Sequence, residues 1–303
     1  MYAKGIIHSI DLNRRFISIK TKSSIKYFYF QSKLFKRFKK YLYKGVLISF
    51  ESLEYFTQKK GMDVYLVLDV YEIINLTLYK DKVLFNKEKI DDSLLEFLKS
   101  LKTKMFIDTE MTLVSDHKEE SELIQAGMIL VDKDNNTIEE TNYYIRPTKS
   151  RYINSRTKEF LHIKQSLIQK EGVSYYKFYN KFKTWLNKYH PAVIIFGKND
   201  KLFLEKSYST NNLPSLTFIT RFVNILELIK TYYNLSNDPG LFHLYEKYYS
   251  KEDLYQEHNA LEDAYITKKV FEAFVLDMEN GGLMTDKIKE LDVWGEVYDS
   301  WIL

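Results

Sequence analysis

Asp108 and Glu110 stand two positions apart at the end of the run "MFIDTEMT". In a β-strand, residues i and i+2 point to the same face, so the two carboxylates emerge side by side. Each raises the cost of ionising the other, and a divalent cation between them is the usual remedy. Taken alone, such a pair is more often an ordinary strand end with two solvated acids. Two later features bear on the choice. Asp200 lies just beyond the apolar run "AVIIFG", and in "EHNALEDAYITKKVFEAF" His258 precedes Asp263 at the start of a helical pattern. Singly these are weak signals, since a lone histidine is usually structural and an acid at a helix start is usually a cap or a partner of the helix dipole.

These residues need a scaffold, and the composition allows one. The chain has 303 residues, of which 45% are apolar and 16% aromatic, which favours a folded globular protein over a disordered one. There is no cysteine, so a disulfide framework and a thiolate zinc site are excluded, as suits a reducing compartment. The opening "MYAKGIIHSIDLNRRF" lacks the apolar core of a signal peptide, and no apolar run reaches membrane-spanning length. A soluble cytoplasmic protein with no membrane contact is expected, and no protein partner is identifiable. The net charge of +4 hides a division: residues 1–60 hold 14 Lys and Arg against 3 Asp and Glu, leaving 31 of the 45 basic and 38 of the 41 acidic residues beyond. A basic module joined to an acidic, metal-demanding one suits a polyanionic substrate.

The hydrophobic pattern separates the same two parts. Residues 1–75 read as strands in "KGIIHSI", "RFISIKT" and "IKYFYFQ", a helix in "KLFKRFKKYL", and strands in "GVLISFE" and "MDVYLVLDVYEI". Three strands, a helix and two strands is the element order of an oligonucleotide/oligosaccharide-binding (OB) barrel. The first three strands also resemble the cold-shock subgroup, and Phe16, Tyr27 and Phe30 are its candidates for stacking on bases. Residues 76–103 read as a connector with one helix capped by Asp91 or Asp92. Residues 104–280 read as strand, hairpin and alternating helix and strand, including a strand-like "LTFIT". This pattern is an α/β domain with a mixed sheet flanked by helices. A tail, 281–303, carries two tryptophans.

The D-x-E, the acid after a buried strand and the H-x4-D occur here in the order of the DEDDh branch of the DnaQ-like 3′–5′ exonucleases, and the chain resembles that family across residues 104–276. The intervening "ELIQAGMILVD", "YYIRP" and "HNALEDA" fit as well. "FGKNDKLFL" is closer to the branch with the histone-mRNA exonucleases and KapD than to proofreading enzymes, while the methionine of "DTEMT" is similar to that of oligoribonucleases. The resemblance implies an RNase H-like fold and assigns five site residues: Asp108, Glu110, Asp200 and Asp263 as metal ligands, with His258 as base. It also implies that Met111 and Thr112 line the pocket for the terminal nucleotide. Ile163 is either a wedge against the last base or a plain core residue.

The chemistry requires such groups. Two hard cations, Mg2+ or Mn2+, held about 3.5–4 Å apart by carboxylates, can neutralise charge around phosphorus. An imidazole that titrates near working pH can take the proton of the attacking water. The expected activity is 3′–5′ hydrolysis of single-stranded RNA to nucleoside 5′-monophosphates. Single-stranded DNA is the alternative substrate, and a non-catalytic nucleic-acid-binding regulator is the alternative class.

Overall fold

The computed structural model describes residues 1–21, 24–59, 61–77, 80–113, 121–150, 152–251 and 259–292. The chain divides into two compact units, the first Met1–Leu94 and the second beginning at Leu95.

In the first unit β1 (Tyr2–Asp11), β2 (Phe16–Lys20) and β3 (Ile25–Phe30) form a meander. Helix α1 (Ser32–Phe38) leads into two long strands, β4 (Val46–Lys59) and β5 (Met62–Asn75). β1 pairs with β4, β4 with β5, and β5 runs parallel to β3 from Phe28↔Tyr65 to Phe30↔Val67, which closes a five-stranded barrel of OB order. Period-two alternation sends Phe28, Phe30, Ile48, Phe50 and Val67 into one core, and α1 adds Leu34, Phe35 and Phe38 to it. Burying a ring such as that of Phe38 contributes about 1.5–3 kcal/mol. β4 continues to Lys59, well past the end of the strand-like "GVLISFE". β6 (Lys82–Asn86), a strand the sequence pattern does not signal, pairs with β5. α2 (Lys87–Lys99) begins before Asp91 and Asp92, and the side chain of Asn86, not either acid, accepts the Lys89 N–H at 2.9 Å.

The second unit is built on a sheet in the order β11-β10-β7-β8-β9. β7 (Lys104–Met111), β8 (Leu123–Val131) and β9 (Thr137–Tyr144) form an antiparallel meander. After α3 (Ser155–Phe160), α4 (Gln165–Glu171) and α5 (Tyr175–Tyr189), β10 (Ala192–Ile195) joins β7 in parallel. α6 (Asn199–Thr210) follows, and β11 (Arg221–Asn224) then extends the parallel part. The segment "LTFIT" is not that strand. Thr217–Ile219 is a single 3-10 turn in which Phe218 is 94% exposed, and pairing starts only at Arg221. α7 (Ile225–Tyr232), α8 (Leu241–Tyr249), α9 (Ala260–Glu279) and α10 (Thr285–Lys289) complete the unit. Phe178, Phe182 and Trp185 of α5 cover one face of the sheet, against Met105, Ile107 and Met128. α9 lies on the other face, where Phe271 meets Phe106 edge-on at 5.5 Å. Of the tail, Asp292 accepts the N–H groups of Ser236 and Asn237, and both tryptophans lie outside the described residues.

This is the RNase H-like mixed sheet flanked by helices, with a small all-β barrel at the N-terminal end. No described helix is long and apolar enough to cross a membrane.

Candidate active site

β7 sends Asp108 and Glu110 to the α9 face of the sheet and Thr109 to the other. Across the ladder Asp108 pairs with Gly127 of β8. A Cβ at Gly127 would lie 2.2 Å from the Leu261 nitrogen and 2.3 Å from the Ala260 oxygen, so the missing side chain lets the first turn of α9 rest directly on the sheet. Asn259 caps that turn, accepting the Leu261 N–H at 3.1 Å and the Glu262 N–H at 3.4 Å. Asp263, one turn in, is 5% exposed and faces the pair. One carboxylate oxygen each from Asp108, Glu110 and Asp263 lie within 4.8 Å of one another.

The fourth acid arrives from beyond the end of β10. β10 ends at Ile195, and the chain turns through Gly197 at φ +86°, its N–H donating to Asn224 Oδ1 at 3.0 Å. The positive φ favours glycine. α6 then starts with Asp200 in its first turn, where the helix dipole favours a negative charge. Asp200 is 5% exposed, and its Oδ1 accepts the Thr109 hydroxyl at 2.8 Å.

Four acids gathered in this way resist ionisation. Burial, and then the charges of Asp200, Asp263 and Glu110, hold the Asp108 carboxyl well above the usual range. Burial, Asp263 and Asp200 push Glu110 up to about 8. Asp200 is raised by burial to about 7, opposed by its hydrogen bonds from Thr109. An all-oxygen donor set that cannot ionise fully by itself, with Asp108 and Glu110 still partly open to solvent, suits a hard divalent cation.

The remaining sequence candidates separate. His258 lies outside the described residues. Thr112 continues β7 beside the site; its hydroxyl oxygen accepts the Glu122 N–H at 2.8 Å. Met111 is 5% exposed and belongs to the sheet core, so it presents no open face to a nucleotide. Ile163 is a core residue, 6% exposed among Ile124, Ile153, Leu161 and Ile168, not a free wedge. Phe30 is fully buried inside the barrel and Phe16 is 3% exposed in a small cluster with Tyr29 and Val64, so neither can stack on a base. Tyr27 is half-buried against that cluster. Alternation marks the two faces of a strand, but here both are covered. The large exposed rings of the barrel are instead Tyr2, Tyr43, Tyr55 and Phe56.

Three residues that shape the site were not singled out from the sequence. Gly127 and Thr109 carry no motif of their own beyond adjoining one. Glu122, 5% exposed, gathers the chain at Thr148–Ser150: its carboxylate accepts the Thr148 and Lys149 N–H groups at 2.6 and 2.9 Å and the Ser150 N–H at 3.2 Å. Its neighbour Ser121 donates its hydroxyl to the Thr112 carbonyl.

Comparison with known proteins places this site in a family. The family described as Exonuclease (RNase_T) matches residues 105–271. The probable 3′–5′ exonuclease KapD of Bacillus subtilis (strain 168) is 26% identical over 158 residues, which cover 52% of this chain and 75% of KapD. The nuclease domain of 3′hExo, a DEDDh family member solved bound to rAMP, superposes with a TM-score of 0.52 at 18% identity, covering 60% of this chain and 94% of that one. A 3′-exonuclease solved for its 3′-end specific recognition of the histone mRNA stem-loop gives 0.51 at 15% identity, covering 60% and 83%. At these identities the two structures speak for the fold.

Proposed function

This chain belongs to the exonuclease family, and on that premise we propose that it is a DEDDh-type 3′–5′ exonuclease that trims single-stranded RNA from the 3′ end to nucleoside 5′-monophosphates. The observation that carries the reading is the meeting of Asp108, Glu110 and Asp263 within 4.8 Å, with Asp200 beside them. RNA is favoured over DNA because the superposed nucleases were solved with rAMP or for recognition of an mRNA stem-loop.

In this reading Asp108, Glu110, Asp200 and Asp263 hold two divalent cations, Mg2+ or Mn2+. When bound, such cations neutralise charge around phosphorus and lower the pKa of water. The chain's own part is placement. The β7 ladder fixes Asp108 and Glu110, the close approach of α9 at Gly127 brings Asp263 to them, and Thr109 orients Asp200. His258 accepts the proton of the attacking water on an imidazole nitrogen. The water oxygen bonds to phosphorus, the bond to the 3′-oxygen of the preceding nucleotide breaks, and that oxygen takes up a proton from solvent as it leaves. Residues 104–280 act as the nuclease and the barrel as the module that holds the strand. The absence of cysteine suits work in the reducing cytoplasm.

The test is digestion of matched RNA and DNA oligomers with Mg2+ or Mn2+, with EDTA and with Asp108→Ala as controls. Mononucleotides released from RNA by the wild-type protein alone support the reading. A preference for DNA changes the substrate, and binding without cleavage under either metal leaves a regulator in place of an enzyme.

A further inference from the structure

From Leu12 to Phe50 the chain has no acidic residue and eleven Lys and Arg. The fold sorts these charges. Helix α1 turns Leu34, Phe35 and Phe38 into the barrel core, and Leu42 follows them, so the helix is anchored along one side. Lys36, Lys39, Lys40 and Lys44 remain exposed. Lys33 and Lys36 lie three residues apart on α1, the spacing that places side chains on one face, and Lys39, Lys40 and Lys44 follow in the turn after the helix ends at Phe38. Arg37 lies flatter, its guanidinium 5.2 Å from the Phe38 ring and 5.7 Å from the Phe85 ring.

Four acids of this unit are engaged elsewhere. Glu72 pairs with Lys4, Asp69 and Asp91 pair with Lys87, and Glu51 accepts the Tyr71 hydroxyl. Among the described residues, Lys36, Lys39, Lys40 and Lys44 make no ion pair with a carboxylate. A row of ammonium groups facing water with no internal counter-charge is a surface for a polyanion. Meanwhile the aromatics of β2 and β3 that would have served as a stacking platform are largely enclosed, Phe16 at 3% exposure and Phe30 at 0%.

We infer that the outer face of α1 and the turn after it, with Lys36, Lys39, Lys40 and Lys44, is a binding surface for the phosphate backbone of single-stranded nucleic acid. The occupant follows from charge complementarity, and it rests on the reading of the chain as a nuclease, whose substrate is a polyanion. Contacts of this kind hold the strand without reading its sequence, since they go to phosphates. The occupancy should release counterions and weaken steeply with salt.

The experiment uses the full chain with catalysis blocked by Asp108→Ala and compares it with the same protein carrying K36E, K39E and K40E. Affinity for a long oligouridylate is measured across a salt series. Loss of three phosphate contacts predicts a log–log salt slope shallower by about 2, and affinity at low salt weaker by about tenfold or more. A Lys→Gln version of the triple variant guards against misfolding caused by the three new acids, and thermal unfolding checks both. Equal affinities and slopes overturn the inference. So does loss of binding to phosphatidylserine vesicles with RNA binding intact, which would make α1 a membrane-facing surface. Failure of the wild-type protein to cleave any oligonucleotide would count against the proposed function, while the binding data would still judge α1.

Discussion

Thr109 donates its hydroxyl to Asp200 Oδ1 at 2.8 Å, with both side chains buried. The residue between the two acids of the D-x-E therefore acts on the opposite side of the strand, where it fixes one oxygen of a third acid and leaves the other for the site. Partners that orient a metal ligand are commonly worth 10–100-fold in metal affinity.

Thr109→Val keeps the shape and removes the donor. It is expected to raise the Mg2+ concentration for half-maximal cleavage by about 10–100-fold. Thr109→Ser, which keeps the hydroxyl, should stay near the wild type. An unchanged metal requirement in the valine variant would reduce Thr109 to packing.

Gly127 sets the depth of α9. Since a methyl group there would meet the Leu261 nitrogen at 2.2 Å, Gly127→Ala must push the first turn of α9 away from β8. Overpacking of this kind costs about 1–3 kcal/mol. Asp263 would move with the turn, so cleavage should fall by about 10²-fold, the loss that a 1 Å misplacement can cause. Thermal unfolding and single-turnover cleavage together check this, and a variant with wild-type rate would show that the close approach is not needed.

The elevated acids give the metal-free protein a particular response to pH. Glu110 at about 8 and Asp200 at about 7 lie above their ordinary values of 4.5 and 3.8. Below about pH 4 these carboxyls are protonated in both states and their contribution to stability is fully present. As pH rises towards 7 and 8 the unfolded chain ionises first, so that contribution is lost. In EDTA the part of the melting temperature owed to these groups should decline over this window. Added Mg2+ should restore it, by an increment that grows with pH because the cation replaces protons. Melting curves at several pH values, with EDTA and with Mg2+, measure the increment. A constant increment would mean the acids do not bind the ion.

His258 carries the proton transfer in the proposed mechanism. His258→Ala should slow cleavage by about 10²–10⁴-fold. The acidic limb of the pH–rate profile should change, while Mg2+-induced stabilisation survives, since the imidazole is not proposed as a ligand. A variant with the same rate and profile would reassign the histidine to structure.

Much of this protein is legible in the sequence because it is local. Alternation along "IKYFYF", helical spacing in "KLFKRFKKYL" and the apolar run "AVII" mark β3, α1 and β10 without reference to anything distant. The acids Asp108, Glu110, Asp200 and Asp263 are likewise visible as residue types at motif spacing. Their convergence follows only from the family resemblance, and what brings it about lies across the sheet: Gly127 must face Asp108 for α9 to descend, and Thr109 must meet Asp200 beyond the end of β10. The barrel aromatics show the same boundary. Period two says that Phe16 and Phe30 point to opposite sides from the residues beside them, but only closure of the barrel through β3 and β5 decides that both are covered. Segment "LTFIT" has strand-forming residues, yet tertiary pairing begins at Arg221, where β10 supplies the hydrogen bonds that an isolated run of apolar residues cannot supply for itself.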